Sequence, residues 1–121
     1  MKTKYKKLYL PLSQVKGREF LARAMGCKGV GVSLMRLKPG EGASYVHRHK
    51  VQEEVFITLK GTGTMVRVAP TVYRAMGNTS RRDVVYMVLG AIPPKNFPQG
   101  GRTLLGDGIA NRKKTVRWKK M

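Results

Sequence analysis

The strongest constraint on the fold comes from residues 45–63, YVHRHKVQEEVFITLKGTG, which contain both histidines of the chain. His47 and His49 are two positions apart, and side chains at that spacing on a β-strand project from the same face. Glu54 begins a second strand-like run, so a short turn can bring its carboxylate beside the two imidazoles. Two imidazoles and one carboxylate suit a first-row divalent metal such as Fe(II), Mn, Ni or Zn. The stretch therefore predicts a strand pair that carries a metal site.

Alternation of apolar and polar residues predicts β-strands elsewhere in the chain as well. We expect strands over residues 30–38, 43–49, 54–60, 61–69 and 83–91. A short helix is expected within residues 18–25, ended by Gly26, and residues 93–108 are expected to form a long loop. The predicted core contains these apolar strand residues: Val32, Leu34, Val55, Ile57, Leu59, Val85, Met87 and Leu89.

Residues 1–121 are expected to form a single domain with basic extensions at both ends. Residues 1–12 are predicted to be a basic arm leading into an edge strand, because Pro11 would interrupt a central ladder. Residues 109–121 are predicted to be a basic tail that stays mobile until a polyanion binds it. The sequence has no secretory signal pattern and no apolar run long enough to span a bilayer, so we expect a cytoplasmic protein that does not bind membranes.

The net charge of +19 comes from 25 Lys and Arg residues against 6 Asp and Glu residues in 121 positions. Such an excess repels itself and favours a polyanionic partner such as nucleic acid. Tyr5, Tyr9 and Trp118 lie among the cations and can stack on exposed bases. The alternative is a solvated basic surface without a partner. The residues predicted to contact RNA are Lys2, Lys4, Lys6, Lys7, Arg48, Lys50, Arg81, Arg82, Arg112, Lys113, Lys114, Arg117, Trp118, Lys119 and Lys120.

The spacing of the histidine segment resembles the first motif of the cupin family. In that motif a glycine, a His-x-His pair, a Glu four or five residues later and a further glycine form a metal-bearing hairpin, and His47, His49, Glu54 and Gly61 match it. The resemblance implies a small, all-β, antiparallel barrel of the jelly-roll type and one divalent metal held by His47, His49 and Glu54. Because many cupins dimerise by exchanging edge strands, the resemblance also implies a homodimer.

The second cupin motif is only partly present. It normally supplies a fourth metal ligand, a histidine, and here residues 63–78 align with it so that Asn78 matches its asparagine and Arg74 replaces the histidine. The two motifs also lie closer together than usual, so we expect the barrel to lack one hairpin.

The exchange of histidine for arginine changes the chemistry expected at this position. A guanidinium stays protonated and has no free lone pair, so Arg74 cannot ligate a metal. It can instead form a charge-assisted pair with Glu54, or clamp an anionic substrate. Tyr45 is a further candidate for substrate binding, and Tyr45 or Tyr73 can be considered as a substitute ligand.

Two functions follow from these features. The first is a degenerate cupin whose polycationic surface binds structured RNA, as in a ribosome-type particle. The alternative is a mononuclear metal cupin enzyme, of the isomerase, decarboxylase or dioxygenase type, that acts on a small anionic substrate. Salt-dependent RNA retention would support the first function, and stoichiometric metal after purification would support the second.

Overall fold

The computed structural model describes residues 4–61, 64–91, 108–116 and 118. Strands account for 49% of these residues and helices for 7%, which confirms the prediction of an all-β, antiparallel fold. A five-stranded sheet has the order β1-β2-β6-β4-β5, and β3 pairs with β7 in a second sheet. The elements are β1 (Arg18–Phe20), α1 (Ala22–Met25), β2 (Val30–Leu37), β3 (Tyr45–His49), β4 (Glu53–Lys60), β5 (Met65–Val68), β6 (Val84–Ala91) and β7 (Gly108–Thr115).

Strand β6 forms the centre of the larger sheet and is buried on both faces. Val84 and Val88 project from one face and Val85 from the other, and all three side chains are buried. The nearly continuous apolar run of residues 84–91 explains this position, because a strand covered on both sides has no solvated face to fill with polar residues.

The N-terminal segment covers one face of the larger sheet. Val15, Leu34 and Val85 form the buried cluster there, and Leu10, Leu12 and Leu21 pack against it. Arg36 fastens the segment to the sheet, because its guanidinium donates to the carbonyl oxygens of Val15 and Leu12 over 2.6 Å each. The predicted edge strand before Pro11 is absent from residues 4–10, where residues 4–9 are exposed and Leu10 packs against the buried cluster.

Two details of the predicted elements are wrong. Residues 18–20 form strand β1 against β2 rather than the start of a helix, and α1 occupies only Ala22–Met25 before Gly26, which has a φ of 72°. Leu59 is 39% exposed although it was predicted to be in the core. Its strand shifts register between Thr58 and Lys60, and this bulge turns Leu59 away from the sheet face.

Strand β3 has neighbours on both sides. On one side it pairs with β7, and on the other it is hydrogen-bonded to residues 69–78, which follow β5 directly. The amides of His47 and Arg74 donate to each other's carbonyl oxygens over 3.0 and 2.8 Å. Both long sides of the histidine strand are therefore hydrogen-bonded, one to β7 and the other to the segment after β5.

The predicted mobile tail is wrong for the part of it that the structure describes. Residues 108–115 form β7, and the Trp118 indole donates a hydrogen bond of 2.8 Å to the carbonyl oxygen of Ala43. The indole lies so close to the backbones of Gly42 and Gly77 that a Cβ at either position would collide with it. The backbone of β3 offers hydrogen bonds to a neighbouring strand, and these hold the chain despite its charge.

Several predicted features lie outside the described residues, namely residues 93–107 of the loop and the cations Lys2, Arg117, Lys119 and Lys120. Within the described ranges, no helix combines the length and apolar character needed to cross a membrane.

Candidate metal centre

The two histidines and Glu54 converge as their spacing predicts. His47 and His49 project from one face of β3, with ring centroids 5.2 Å apart and ring planes at 85°. Glu54 reaches the same point from β4, and its Oε1 lies 3.5 Å from His49 Nε2. One ligand atom from each of the three residues lies within 4.8 Å of the others, so the cluster can hold a metal ion.

Gln52 orients the Glu54 carboxylate and was missed at the level of the sequence. Its amide donates to Glu54 Oε2 over 3.3 Å, and only 5% of Gln52 is exposed. The space for this side chain exists because position 90, opposite Glu54 in the ladder, is a glycine, and a Cβ there would collide with the Gln52 amide. The sequence gives no signal that Gln52 is buried beside Glu54, because a polar residue in a turn is usually exposed to solvent.

The protonation states of the cluster favour metal ligation. Burial lowers the pKa of His47, and the neighbouring charges of His49, Arg74 and Arg18 lower it further against the opposing effect of Glu54. Burial alone would raise the pKa of Glu54, but its contact with His49 and the charges of His49, Arg74 and His47 together lower that pKa. At neutral pH the site therefore contains a neutral His47 and an ionised Glu54, which are the forms that bind metals.

Arg74 contacts Glu54 but does not line the cavity in which a substrate could bind. Its Nε lies 3.8 Å from Glu54 Oε1, and its two terminal nitrogens donate to the carbonyl oxygens of Ala69 and Pro70 over 2.8 and 3.2 Å. Arg74 is 8% exposed and does not line the cavity in front of the histidines. The predicted pairing with Glu54 is present as a buried contact, whereas the guanidinium predicted to clamp a substrate is turned toward the backbone and lies outside the cavity lining.

A cavity of about 200 Å³ opens in front of the cluster. Arg18 lies on its wall, with its guanidinium 3.4 Å from Ser33 Oγ and 4.9 Å from the centroid of the Phe20 ring. Arg18 was not predicted to line the site, because residues 18–25 were expected to form a helix. With β1 recognised as a strand, the alternation of Arg18 and Phe20 places both on the face toward the cavity. The lining residues are Arg18, Phe20, Gly31, Val32, Ser33, His47, His49, Gln52, Glu54, Val88, Gly90 and Gly108.

The remaining predicted contact residues lie away from the cavity. Tyr45 does not line it, and its ring carries the Arg112 guanidinium at 4.6 Å instead. Arg48 is partly buried over the ring of Tyr73, and Trp118 is half-buried in its contact with the two glycines. The other described cations of the set are exposed: Lys4, Lys6, Lys7, Lys50, Arg81, Arg82, Arg112, Lys113 and Lys114.

The family assignment follows from the match of residues 13–93 to the model of the family described as auxin binding protein. The chain belongs to the auxin binding protein family. This family is of the cupin type, so the resemblance of the His47–His49–Glu54 spacing to the first cupin motif is confirmed. The matched range also includes Arg74 and Arg18.

Solved structures support the same fold for this member of the auxin binding protein family. A cupin protein from Bacteroides fragilis superposes with a TM-score of 0.66 and 23% identity, covering 74% of this chain and 86% of that one. A protein described as a sugar phosphate isomerase from Acidithiobacillus ferrooxidans gives 0.51 and 19%, covering 98% and 80%. A sugar phosphate isomerase of the cupin superfamily from Silicibacter pomeroyi gives only 0.45 with 26% identity, covering 64% and 61%. The first two likenesses show the fold alone, and no curated protein matches the chain.

Proposed function

We propose that this chain is a metal-dependent cupin that holds one divalent transition metal through His47, His49 and Glu54 and binds a small anionic ligand beside it. The observation that carries the proposal is the lack of a hydrogen bond to Glu54 Oε1. This atom is buried and accepts no hydrogen bond, although it belongs to a charged carboxylate. The Arg74 guanidinium at 3.8 Å offsets the charge of this oxygen without donating a hydrogen bond to it, and a metal cation coordinated by the atom would satisfy it.

The residues around the cluster fit a bound metal. The Gln52 amide occupies Glu54 Oε2 and leaves Oε1 directed at the two imidazoles. The contact of 3.5 Å between Oε1 and His49 Nε2 is longer than a well-formed hydrogen bond, so Oε1 keeps lone pairs for ligation of a metal. A set of two nitrogens and one oxygen suits Fe(II), Mn, Ni or Zn. Three protein ligands leave further coordination positions open to the cavity, where a bound metal would act as a Lewis acid.

The position of Arg18 in the cavity wall favours an anionic ligand. It is the arginine of the cavity wall, its charge faces the histidine pair, and it contributes to the lowered pKa of His47. Stacking against Phe20 holds the guanidinium in one orientation, so its N–H groups can meet a carboxylate or phosphate group with little loss of side-chain entropy. Arg74 cannot take this role, because its nitrogens are directed at Glu54 and at two backbone carbonyls.

Metal content after loading with Fe(II), Mn, Ni or Zn tests the metal part of the proposal. We expect one metal per chain in the natural protein and a loss of affinity on substitution of Glu54 by glutamine. Glu53→Gln is the matched control, because Glu53 is the adjacent glutamate, is exposed and pairs with Arg67 instead. The proposal fails if no metal reaches stoichiometric occupancy, or if both glutamine variants bind it equally well.

Titration of the metal-loaded protein with small carboxylates and phosphates tests the ligand part. Auxin belongs in this panel because the family is named for binding it. Arg18→Met should weaken binding of the anion while metal content stays at one per chain. Arg23→Met serves as the control, since Arg23 is an exposed arginine on α1 outside the cavity lining. Equal anion affinity in the natural protein and in Arg18→Met would remove Arg18 from the site.

A further inference from the structure

Strand β7 departs from regular pairing at one point, and three consecutive cations occupy that point. Its ladder with β3 pairs Val46 with Asn111 and then Tyr45 with Thr115, so residues 112–114 have no partners across the ladder. A bulge of this kind places extra residues outside the ladder and directs their side chains away from regular alternation. Its three exposed members, called the bulge triplet below, are Arg112, Lys113 and Lys114.

The charge of the bulge triplet is not balanced by the described part of the chain. Among the described carboxylates, Asp83 pairs with Arg36, Glu53 pairs with Arg67 and Glu54 belongs to the metal cluster. None of the described acidic residues forms an ion pair with the triplet. Three adjacent like charges repel one another, so a bound polyanion would relieve a repulsion that the described residues leave uncompensated.

An arginine–tyrosine stack lies at the bulge triplet. The guanidinium of Arg112 lies 4.6 Å from the centroid of the Tyr45 ring. Stacking fixes the plane of a guanidinium and leaves N–H groups at its edge for phosphate oxygens. Arg48 is three positions from Tyr45 on β3, so its side chain projects from the other face of the strand, over the ring of Tyr73, and is not part of this site.

We propose that the bulge triplet binds structured RNA through its phosphates. A net charge of +19 favours a polyanion over a small anion, which would need only one or two of these cations. Tyr5 and Tyr9 are 82% and 85% exposed among the lysines of the N-terminal arm, and such rings stack on the unpaired bases that RNA loops expose.

Other polyanionic partners fit the described residues less well. The α-helix described, α1, has four residues, which is too short to lie in a membrane interface or to read the major groove of a DNA duplex. RNA binding at this site goes beyond the metal function and does not depend on it. It uses residues of β7, and none of them is a ligand of the proposed metal. Trp118 is excluded as a base-stacking residue, since its indole is committed to Gly42, Gly77 and the Ala43 carbonyl.

A pair of double charge reversals tests the proposal. Lys113→Glu/Lys114→Glu changes the triplet, and Lys16→Glu/Lys28→Glu changes two exposed lysines elsewhere with the same change in net charge. Binding to a transcribed, structured RNA of several hundred nucleotides is measured from about 0.05 to about 0.2 M salt. Each phosphate contact contributes about 0.7–0.9 to the logarithmic salt slope, so loss of two contacts should reduce the slope by about 1.4 to 1.8. The control pair should change it much less.

Three results would overturn the proposal. Equal loss of affinity and slope in both double variants would mean that RNA responds to net charge alone. Equal or tighter binding to a DNA duplex would point to a general polyanion surface, and binding to phosphatidylserine vesicles without binding to RNA would point to a membrane. Thermal melting and metal content of both variants are compared with those of the natural protein, so that unfolding or damage to the metal centre is recognised separately.

Discussion

Replacing Arg74 by methionine should make the metal-free protein less stable and, at the same time, raise its affinity for metal. Arg74 Nε and Glu54 Oε1 are 3.8 Å apart and their side chains are only 6% and 7% exposed. At this distance two unit charges attract by about 4 kcal/mol with the effective dielectric constant of a protein site. Removing one partner of a buried pair costs about 3–5 kcal/mol, because the other charge stays buried without compensation. The metal-free Arg74→Met protein should lose that amount of unfolding free energy.

In the metal-loaded protein, Arg74→Met should lower the unfolding free energy much less. A divalent cation bound to Glu54 supplies the positive charge that Arg74 provides in the metal-free state, and the two cations repel each other. If the loss in the loaded protein is smaller by about 2 kcal/mol, metal affinity rises by about 30-fold, since 1.4 kcal/mol corresponds to tenfold. Arg74→His should raise the metal affinity as well, because an imidazole at this position adds a metal ligand.

Urea unfolding with and without metal, together with a competitive chelator titration, measures both quantities. Arg67→Met is the control, because Arg67 pairs with Glu53 at 2.8 Å on the surface, where these side chains are 64% and 46% exposed. A pair of that kind contributes about 0–1 kcal/mol. The reasoning is refuted if Arg74→Met binds metal more weakly than the natural protein. Arg74 would then organise Glu54 for the metal rather than substitute for it.

Three further predictions concern stability. Trp118→Ala should lower the unfolding free energy by about 2 kcal/mol, as measured by urea titration. Truncation of a large aromatic side chain costs about 3–5 kcal/mol in a core, and this indole is only half-buried. An unchanged unfolding midpoint would contradict its anchoring role. Asn78→Ala should cost about 2–4 kcal/mol, because the buried amide bonds the carbonyl oxygens of Leu37 and Arg82 and leaving such groups unsatisfied costs about 1–3 kcal/mol each; the exposed Thr79→Ala is the control. The pKa values of His47 and Glu54 lie below their usual 6.5 and 4.5, so the folded state binds fewer protons than the unfolded state in acid. Stability of the metal-free protein should therefore be full above pH 6.5 and decline as the pH falls through 6.5 and then 4.5, and His47→Gln should remove the first decline if His47 causes it.

The part of this structure that the sequence predicts well is the part governed by local periodicity. The two-residue spacing of His47 and His49 fixes a shared face, and the apolar run of β6 marks a strand covered on both sides. Arg18 was missed because residues 18–25 also fit a helix, and only pairing with β2 decides for a strand. The role of Arg74 depends on which neighbours its nitrogens meet, and a sequence alignment cannot show this.

The C-terminal segment was misjudged for a different physical reason. Its density of positive charge predicts a solvated, mobile chain when only composition is considered. The backbone of β7 nevertheless forms a ladder with β3, and Trp118 fits against two glycines that are far away in the sequence. Such contacts depend on the distant partner, and charge counted along the chain contains no information about it.

The pairing of β3 with β7 also determines when the histidine strand is completed during synthesis of the protein. The chain is made from its N-terminus, and His47 and His49 emerge long before residues 108–118. Until those residues arrive, one side of β3 keeps open hydrogen-bonding groups that can pair with another chain. A nascent or prematurely terminated chain would therefore expose the ligand-bearing strand, and the finished sheet forms only after residues 108–118 have been released.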